Sequence, residues 1–426
     1  MIKVCDAIMG SGKSSAAITY INEHPEKRFI YVTPYLEEAN RIKVACPEAH
    51  FIEPSDELRQ YGYRKTAHAA ALIHEGQNVA CTHQALLRYT PQMLEDIAAR
   101  GYDLILDESL GCMGEVEIKV DDVQIAADGG LLECDGEMWR LTEDGREYNG
   151  EKFEELVWVL RSRSLVRVQD EKNRDGNVRE KVLFYWIITP ELFLSFQNVT
   201  ILTYLFDGQE LKYYLDANEI QYNHIWVLRD DDGVYRFSDT PCDPPAYVRE
   251  LGRLIHIEDH AKLNSIGEAK TALSMNWMKG SGEARKKEIK QLKNHTYNFF
   301  NNLHSDISAP KRLWGACNAA YGKLRGQGYA NAFLAFNSRA TNKYADRTCL
   351  AYLANVYPDV SQKRFYQQSG ITMDDDAYAL STMVQWIWRS AIRNGHEIYL
   401  YVPSKRMREL LVAWIASLRE GGDANA

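Results

Sequence analysis

Short apolar runs alternate with amphipathic stretches over the first hundred residues. IKVCDAI at 2–8, RFIYVTP at 28–34, NVACTH at 78–83 and YDLILDES at 102–109 read as buried strands, and SSAAITYINEH at 14–24 and YLEEANRIKVA at 35–45 carry helical spacing. Strand and helix in strict alternation predict a parallel sheet covered by helices. From about Glu115 to Pro190 the pattern changes to short alternating strands separated by turn signals (DGG, DGE, EDGREYNG, NRDGN), which predicts a β-rich insertion apart from the sheet. The buried-strand pattern returns at NVTILTYLFDG, from residue 198.

Between Gly208 and Arg312 the signals weaken to an apolar fragment at Ile225–Leu228, a DDDG turn and the Pro-rich DTPCDPP, so the interlobe connection and an irregular start of a second lobe are placed here. The polar helix EARKKEIKQLKNHTYNFFNNL follows. YANAFLAFNSRATN, ALSTMVQWIWRSAIRNG and EIYLYVPS then alternate strand with helix again. The expected division is a first lobe over 1–210, carrying the insertion at about 115–190, and a second over 211–426 with an irregular, partly helical start.

Composition changes this picture little. The 426 residues, 45% hydrophobic and 26% charged, belong to an ordinary globular chain of several domains. No basic, apolar and small-residue series opens the chain, and no apolar run reaches about 18 residues, so a cytoplasmic protein without membrane contact is expected. Eight scattered cysteines show no C-x-x-C pair and no zinc spacing, which points to reduced, packed thiols. The net charge of −9 matters more, because any nucleic acid would have to be held by a local groove and not by bulk attraction. Arg285, Lys286, Lys287, Lys290 and Lys293, and further on Lys405, Arg406 and Arg408, are basic stretches of the kind that solvated helix faces also show.

Three segments carry chemistry. AIMGSGKSS, directly after the first predicted strand, fits G-x-x-x-x-G-K-[ST] with Ala7 in place of the first glycine. Gly10, Ser11 and Gly12 let backbone N–H groups turn inward around phosphates, Lys13 reaches the β- and γ-phosphates, and Ser14, followed by Ser15, supplies a hydroxyl for magnesium. A strand before and a helix after set this apart from a plain flexible turn. In YDLILDES, adjacent carboxylates at a strand end carry a desolvation cost unless metal or water satisfies them, so Asp107 suits a magnesium shell and Glu108 an attacking water. In QWIWRSAIRNG, Gln385, Arg389 and Arg393 recur every fourth residue, which predicts one polar stripe on a helix.

The order AIMGSGKS, YVTP, CTH, LILDES, ILTYL, RATN and QWIWRSAIR resembles the motif series of superfamily 2 DExD/H-type helicases, particularly divergent helicase-like ATPases of phages and prophages. The fold this implies is α/β, with two RecA-like (P-loop NTPase) parallel-sheet lobes. The implied activity is a nucleic-acid-dependent ATPase, a DNA helicase or translocase that uses ATP and Mg2+ and closes its lobes on a strand, with DNA favoured over RNA. By the same resemblance, Gln385, Arg389 and Arg393 belong to the last motif with its arginine finger. Thr33, Pro34, Thr82 and His83 match first-lobe contacts to a nucleic-acid backbone, and Arg339, Thr341 and Asn342 match second-lobe ones. Thr203 matches the position that couples hydrolysis to strand binding. The chain departs from the pattern in three places: Arg393 comes four positions after Arg389 where the second arginine usually comes three after the first, the acidic box reads DESL, and too few residues precede the phosphate loop for an adenine-reading glutamine motif. Two other readings remain. One is a nucleotide-gated DNA- or protein-binding module with slow hydrolysis, docking a partner through its insertion; the other is a P-loop small-molecule kinase, which leaves QWIWRSAIR and RATN without a role.

Overall fold

A computed structural model describes residues 1–136, 138–148, 150–169, 182–336 and 342–420. Seven strands form the first sheet: β1 (Ile2–Asp6), β2 (Arg28–Thr33), β3 (Val79–Thr82), β4 (Tyr102–Asp107), and, after a long excursion, strands at Asn198–Thr203, Tyr222–Arg229 and Tyr235–Ser238. The excursion holds β5 (Met113–Val116), β6 (Leu132–Asp135), β7 (Met138–Leu141), β8 (Arg163–Gln169) and β9 (Val182–Ile188), so the three later strands are β10, β11 and β12. The first sheet runs β12-β11-β1-β10-β4-β2-β3, with every neighbour parallel except β12.

The alternation read from sequence sorts side chains to the two faces of this sheet. Val4, Ile30, Val32, Leu104 and Leu106 point to one face, under the helices Lys65–Glu75 and Pro91–Arg100. Cys5, Phe29, Tyr31 and Ile105 point to the other, under Lys13–Glu23 and Leu36–Ala45. A parallel sheet buried on both faces explains why these strands are apolar at nearly every position.

The excursion is an antiparallel sheet of its own, ordered β5-β9-β8-β7-β6. Leu165 and Phe184 face a small core with Leu156 and Val157, while their neighbours Val166 and Tyr185 join the core of the first sheet. The second parallel sheet comprises β13 (Ile255–Ile257), β14 (Arg312–Gly315), β15 (Cys349–Tyr352) and β16 (Ile398–Tyr401), in the order β13-β16-β15-β14. The fold class expected from sequence, α/β with two parallel-sheet lobes and a β-rich insertion, is the class observed.

Two expectations need correction. Residues 222–238, assigned by sequence to the irregular start of the second lobe, complete the first sheet, with β11 lying parallel beside β1. This strand is near the sheet edge and only Ile225 among its residues is buried, so it lacks the apolar run that marks its neighbours. In YANAFLAFNSRATN, Phe333 makes a single bridge to Trp314, and the strand of this region is instead the preceding RLWG of β14. The lobes meet through buried contacts, among them the Trp414 indole donating to the Tyr204 hydroxyl (2.8 Å) and the Asp374 amide donating to the Tyr213 hydroxyl (3.0 Å).

Candidate functional site

The carboxyl ends of β1, β2, β4 and β10 open into a cleft of about 740 Å³ whose far wall comes from the second lobe. That volume is within the range of small-molecule and cofactor sites. The loop after β1 enters the helix Lys13–Glu23 through Gly10 (φ 85°) and Gly12 (φ 94°), both left-handed. Gly12 is also required by space, since a Cβ there would stand 2.2 Å from the Tyr235 ring. The Lys13 ammonium donates to the carbonyls of Ala7 and Ile8, the latter at 3.1 Å, which folds it back over the loop. Burial lowers its pKa, against the pull of Asp107 and Glu108.

Asp107 closes β4 opposite this loop. Its Oδ2 accepts from the Tyr31 hydroxyl (3.0 Å) and from Ser14 Oγ (3.5 Å), and its backbone carbonyl lies 2.8 Å from His83 Nε2. Burial raises the carboxyl pKa, with Tyr31 and Lys13 opposing. Glu108 follows in a left-handed conformation (φ 64°), a cost of roughly 1–2 kcal/mol for a residue with a Cβ. Its amide donates to the Leu202 carbonyl (2.9 Å), and the turn aims the side chain into the cleft. Burial, then the Asp107 charge, push the Glu108 pKa up to about 7, while Arg389 and Lys13 hold it down.

The second lobe contributes Gln385, Arg389 and Arg393 to the same cleft, but not as one helical stripe. The helix Asp375–Ile387 stops two residues short of Arg389: Ser390 turns extended (φ −89°, ψ −170°), its Oγ donates to the Ile387 carbonyl (2.6 Å), and a separate turn spans Ala391–Asn394. A serine that bonds back to the last turn competes with helix continuation, a signal present in WRSAIRNG. Arg389 is buried (8% exposed) and its pKa is lowered by that burial, against the Glu108 charge; Arg393 is exposed.

The remaining expected positions divide. Gly10, Gly12, Ser14 and Ser15 line the cleft, while Ser11 is buried beneath it. Thr33 and Pro34 lie in the cleft wall with Gly10 and Gly12, and Thr33 is fully buried, so its side chain is not a surface for a strand. Thr82 caps the short helix His83–Leu86 by accepting from the Ala85 amide, and His83 is buried against Asp107. Thr203 donates to Gln209 Oε1 (2.6 Å) at the end of β10. Arg339 and Thr341 are outside the described residues, and Asn342 opens a short 3-10 turn. Of the basic stretches, Arg406 is bonded to Asp376, Asn355 and Val356 and Arg408 to Val402 and Pro403, so both hold the fold together. Lys286, Lys290 and Lys293 line a surface cleft with Lys323.

Sequence reasoning missed Tyr35 and Trp388, which line the cleft, and the buried Tyr31, whose hydroxyl donates to Asp107. Tyr31 follows from β2 ending beside β4, a pairing that no motif encodes. Among the described residues no three His, Cys, Asp or Glu side chains cluster to hold a metal unaided. A Mg2+ at Ser14 and Asp107 would take its other ligands from phosphates and water, the common arrangement for that ion. The donor set fits such an ion, and the two left-handed glycines beside Lys13 fit a chain of phosphates.

Fold and cleft together define a two-lobed α/β protein with a glycine loop and Lys13 at the head of a helix in its first lobe. The chain belongs to the family of the SPbeta prophage-derived uncharacterized protein YonV of Bacillus subtilis (strain 168), to which it is 33% identical over 428 residues, covering 98% of this chain and 99% of that one. Residues 249–415 match the YonV C-terminal Rossmann-like domain. Among solved structures the chain is similar to one titled "XPD_Helicase" (10% identity, TM-score 0.45, 97% of this chain and 95% of that one). A second is titled "Structure of S. tokodaii Xpd4" (10% identity, TM-score 0.42, 97% and 94%). No helix among the described residues is long and apolar enough to cross a membrane.

Proposed function

We propose that this chain is a nucleic-acid-dependent ATPase, a DNA helicase or translocase whose two lobes close on a nucleotide and so couple hydrolysis to movement on a strand. One observation carries the reading: Lys13, Asp107 and Glu108 from the first lobe share a single cleft with Arg389 from the second. A nucleotide in that cleft would touch both lobes, so its hydrolysis would alter how they hold each other.

Each residue has a role that its geometry favours. The amides around Gly10 and Gly12 receive the phosphates, and Lys13 swings from the Ala7 and Ile8 carbonyls to the β- and γ-phosphates. Ser14 and Asp107 hold Mg2+, which when bound neutralises charge on the phosphate oxygens. Glu108 orients and polarises the attacking water and takes up its proton. Arg389 reaches the γ-phosphoryl oxygens from the opposite wall and stabilises the charge they carry in transit.

The test is steady-state ATP turnover of the full chain with Mg2+, alone and with single-stranded DNA, duplex DNA or RNA. Stimulation by a polynucleotide, strongest with DNA, is the expected result. Turnover indifferent to every polynucleotide overturns the motor reading, and phosphorylation of a small-molecule acceptor would replace it with a kinase.

A further inference from the structure

The seam between the insertion and the first lobe carries two arginines that have no acidic partner among the described residues. Arg88, exposed just beyond the helix His83–Leu86, lies over the Trp158 ring (5.0 Å to its centroid), and Trp158 is 47% exposed. Arg163, at the start of β8, lies over Trp186 (4.2 Å), which itself rests on Gly114, where a Cβ would come within 2.6 Å of the indole nitrogen. Ser162 Oγ and the Arg163 guanidinium both donate to the Leu87 carbonyl (2.9 and 3.1 Å), tying the insertion to the residue before Arg88. Among the described residues neither arginine forms an ion pair, although this chain carries nine more negative than positive charges. Burial, and after it the like charge of Arg88, brings the Arg163 pKa down to about 10.

Two like charges held together, neither in an ion pair among the described residues, favour an anion beside them. A half-exposed tryptophan beside them adds a flat apolar face, and a pocket of about 120 Å³ lined by Lys65, Thr82, Arg88 and Tyr89, with Glu53 on its wall, opens alongside. That pocket is too small for a free nucleotide. Flat aromatic surface next to unpaired guanidinium groups is the combination that holds single-stranded nucleic acid, where each base offers a π-face and each linkage a negative charge. An acidic peptide would satisfy the arginines and leave the indole without a partner.

We propose that Arg88, Trp158 and Arg163 form a grip for single-stranded nucleic acid, with a base stacked on Trp158 and phosphates on the two guanidinium groups. The β-rich insertion then sets how tightly a strand is held. The grip is also linked to the cleft: Arg88 is five residues beyond His83, which contacts the Asp107 carbonyl at 2.8 Å. A strand seated on Arg88 and Trp158 therefore bears on the segment that supports the acidic pair. This inference rests on the nucleic-acid reading above.

The experiment measures binding of a fluorescent oligothymidylate to the full chain by anisotropy at several salt concentrations, beside basal and stimulated ATP turnover. Trp158→Ala should weaken binding roughly tenfold or more, with Trp158→Phe recovering part of it, and basal turnover should stay unchanged, which also reports an intact fold. Arg88→Ala should weaken binding and reduce the slope of log affinity against log salt by about one. A blunt duplex, whose bases are paired, should lose little in Trp158→Ala. Normal binding and stimulation in both alanine variants would overturn the grip and leave the ATPase reading standing. A loss confined to Arg88→Ala would overturn the stacking, as would polyglutamate competing as well as the oligonucleotide. Absence of any polynucleotide binding by the unaltered chain would overturn both readings.

Discussion

Gly208 in the first lobe lies so close to Ala377 in the second that a Cβ at 208 would stand 2.1 Å from the Ala377 carbonyl oxygen. Because the obstacle is backbone, no rotamer relieves it. Ala377 belongs to the helix Asp375–Ile387, whose end leads into Arg389, so this contact helps to set where the guanidinium stands relative to Glu108. Gly208→Ala should push that helix away, lowering stability by about 1–3 kcal/mol and turnover about tenfold while ATP binding persists. Melting curves and single-turnover rates check this; a destabilised variant with unaltered turnover would show that the contact does not position Arg389.

Glu108 provides a pH test. With its carboxyl pKa at about 7 in the ligand-free protein, the ionised form gains ground as pH rises through that value. If Glu108 polarises the water, kcat/KM should climb over the same interval, since that parameter reports the free enzyme. Arg389 favours the ionised form, so Arg389→Ala should move the acid limb to higher pH. Glu108→Gln should retain ATP binding, lose most hydrolysis and abolish the limb in whatever turnover remains. Loss of binding in Glu108→Gln would assign it a different role.

What sequence revealed and what it missed have physical causes. The glycine loop between β1 and the helix Lys13–Glu23 was legible because β1 is largely buried and the loop needs glycine at positive φ, so strand, glycines and lysine all leave a mark. β4 was legible for the same reason, being buried throughout up to Asp107. β11 was not, because a strand near the sheet edge buries little beyond Ile225, and β14 and β15, at four residues each, are too short to display a period. The Gln385, Arg389 and Arg393 spacing suggested a stripe because periodicity assumes an unbroken helix, whereas the helix stops at Ile387, to whose carbonyl Ser390 Oγ bonds back. The Arg88–Trp158 pair could not be foreseen, since seventy residues of chain separate partners that only the docking of the insertion brings together.

Glu210 is a second carboxyl under strain, at the junction of first lobe, insertion and second lobe. Burial pushes its pKa from 4.5 to about 8, only partly offset by the Cys112 and Met113 amides and the Tyr366 hydroxyl. A carboxyl whose folded pKa is raised favours the native state most at low pH, where both states are protonated, and that stability is lost as pH rises through about 8. Glu210→Gln keeps the shape of the neutral acid and cannot ionise. Its melting temperature should match the parent at about pH 4 and exceed it by several degrees at about pH 9. An equal gap at both values would show that Glu210 is not the titrating group.

The choice between Arg389 and Arg393 is the sharpest test of the proposed mechanism. Both reach the cleft, but they are differently held: Arg389 is buried at the cleft wall and within the field of Glu108, whereas Arg393 is exposed on the following turn. A guanidinium already desolvated and fixed in place costs little reorganisation when charge develops on the phosphoryl oxygens, and an exposed one must first give up water. Arg389 should therefore be the finger and Arg393 its support. Because a finger acts mainly in the transition state, Arg389→Ala should cut turnover by roughly 10² or more with little loss of ATP affinity. Arg393→Ala should be milder. Arg389→Lys keeps the charge but loses the planar fork, and an ammonium is harder to strip of water in a buried wall, so rescue should be poor. Turnover and nucleotide affinity measured for the three variants decide the matter. If Arg393→Ala proves the more damaging alanine change with affinity intact, the finger is the exposed arginine, and the lobes must close further than they do here for it to reach the phosphate.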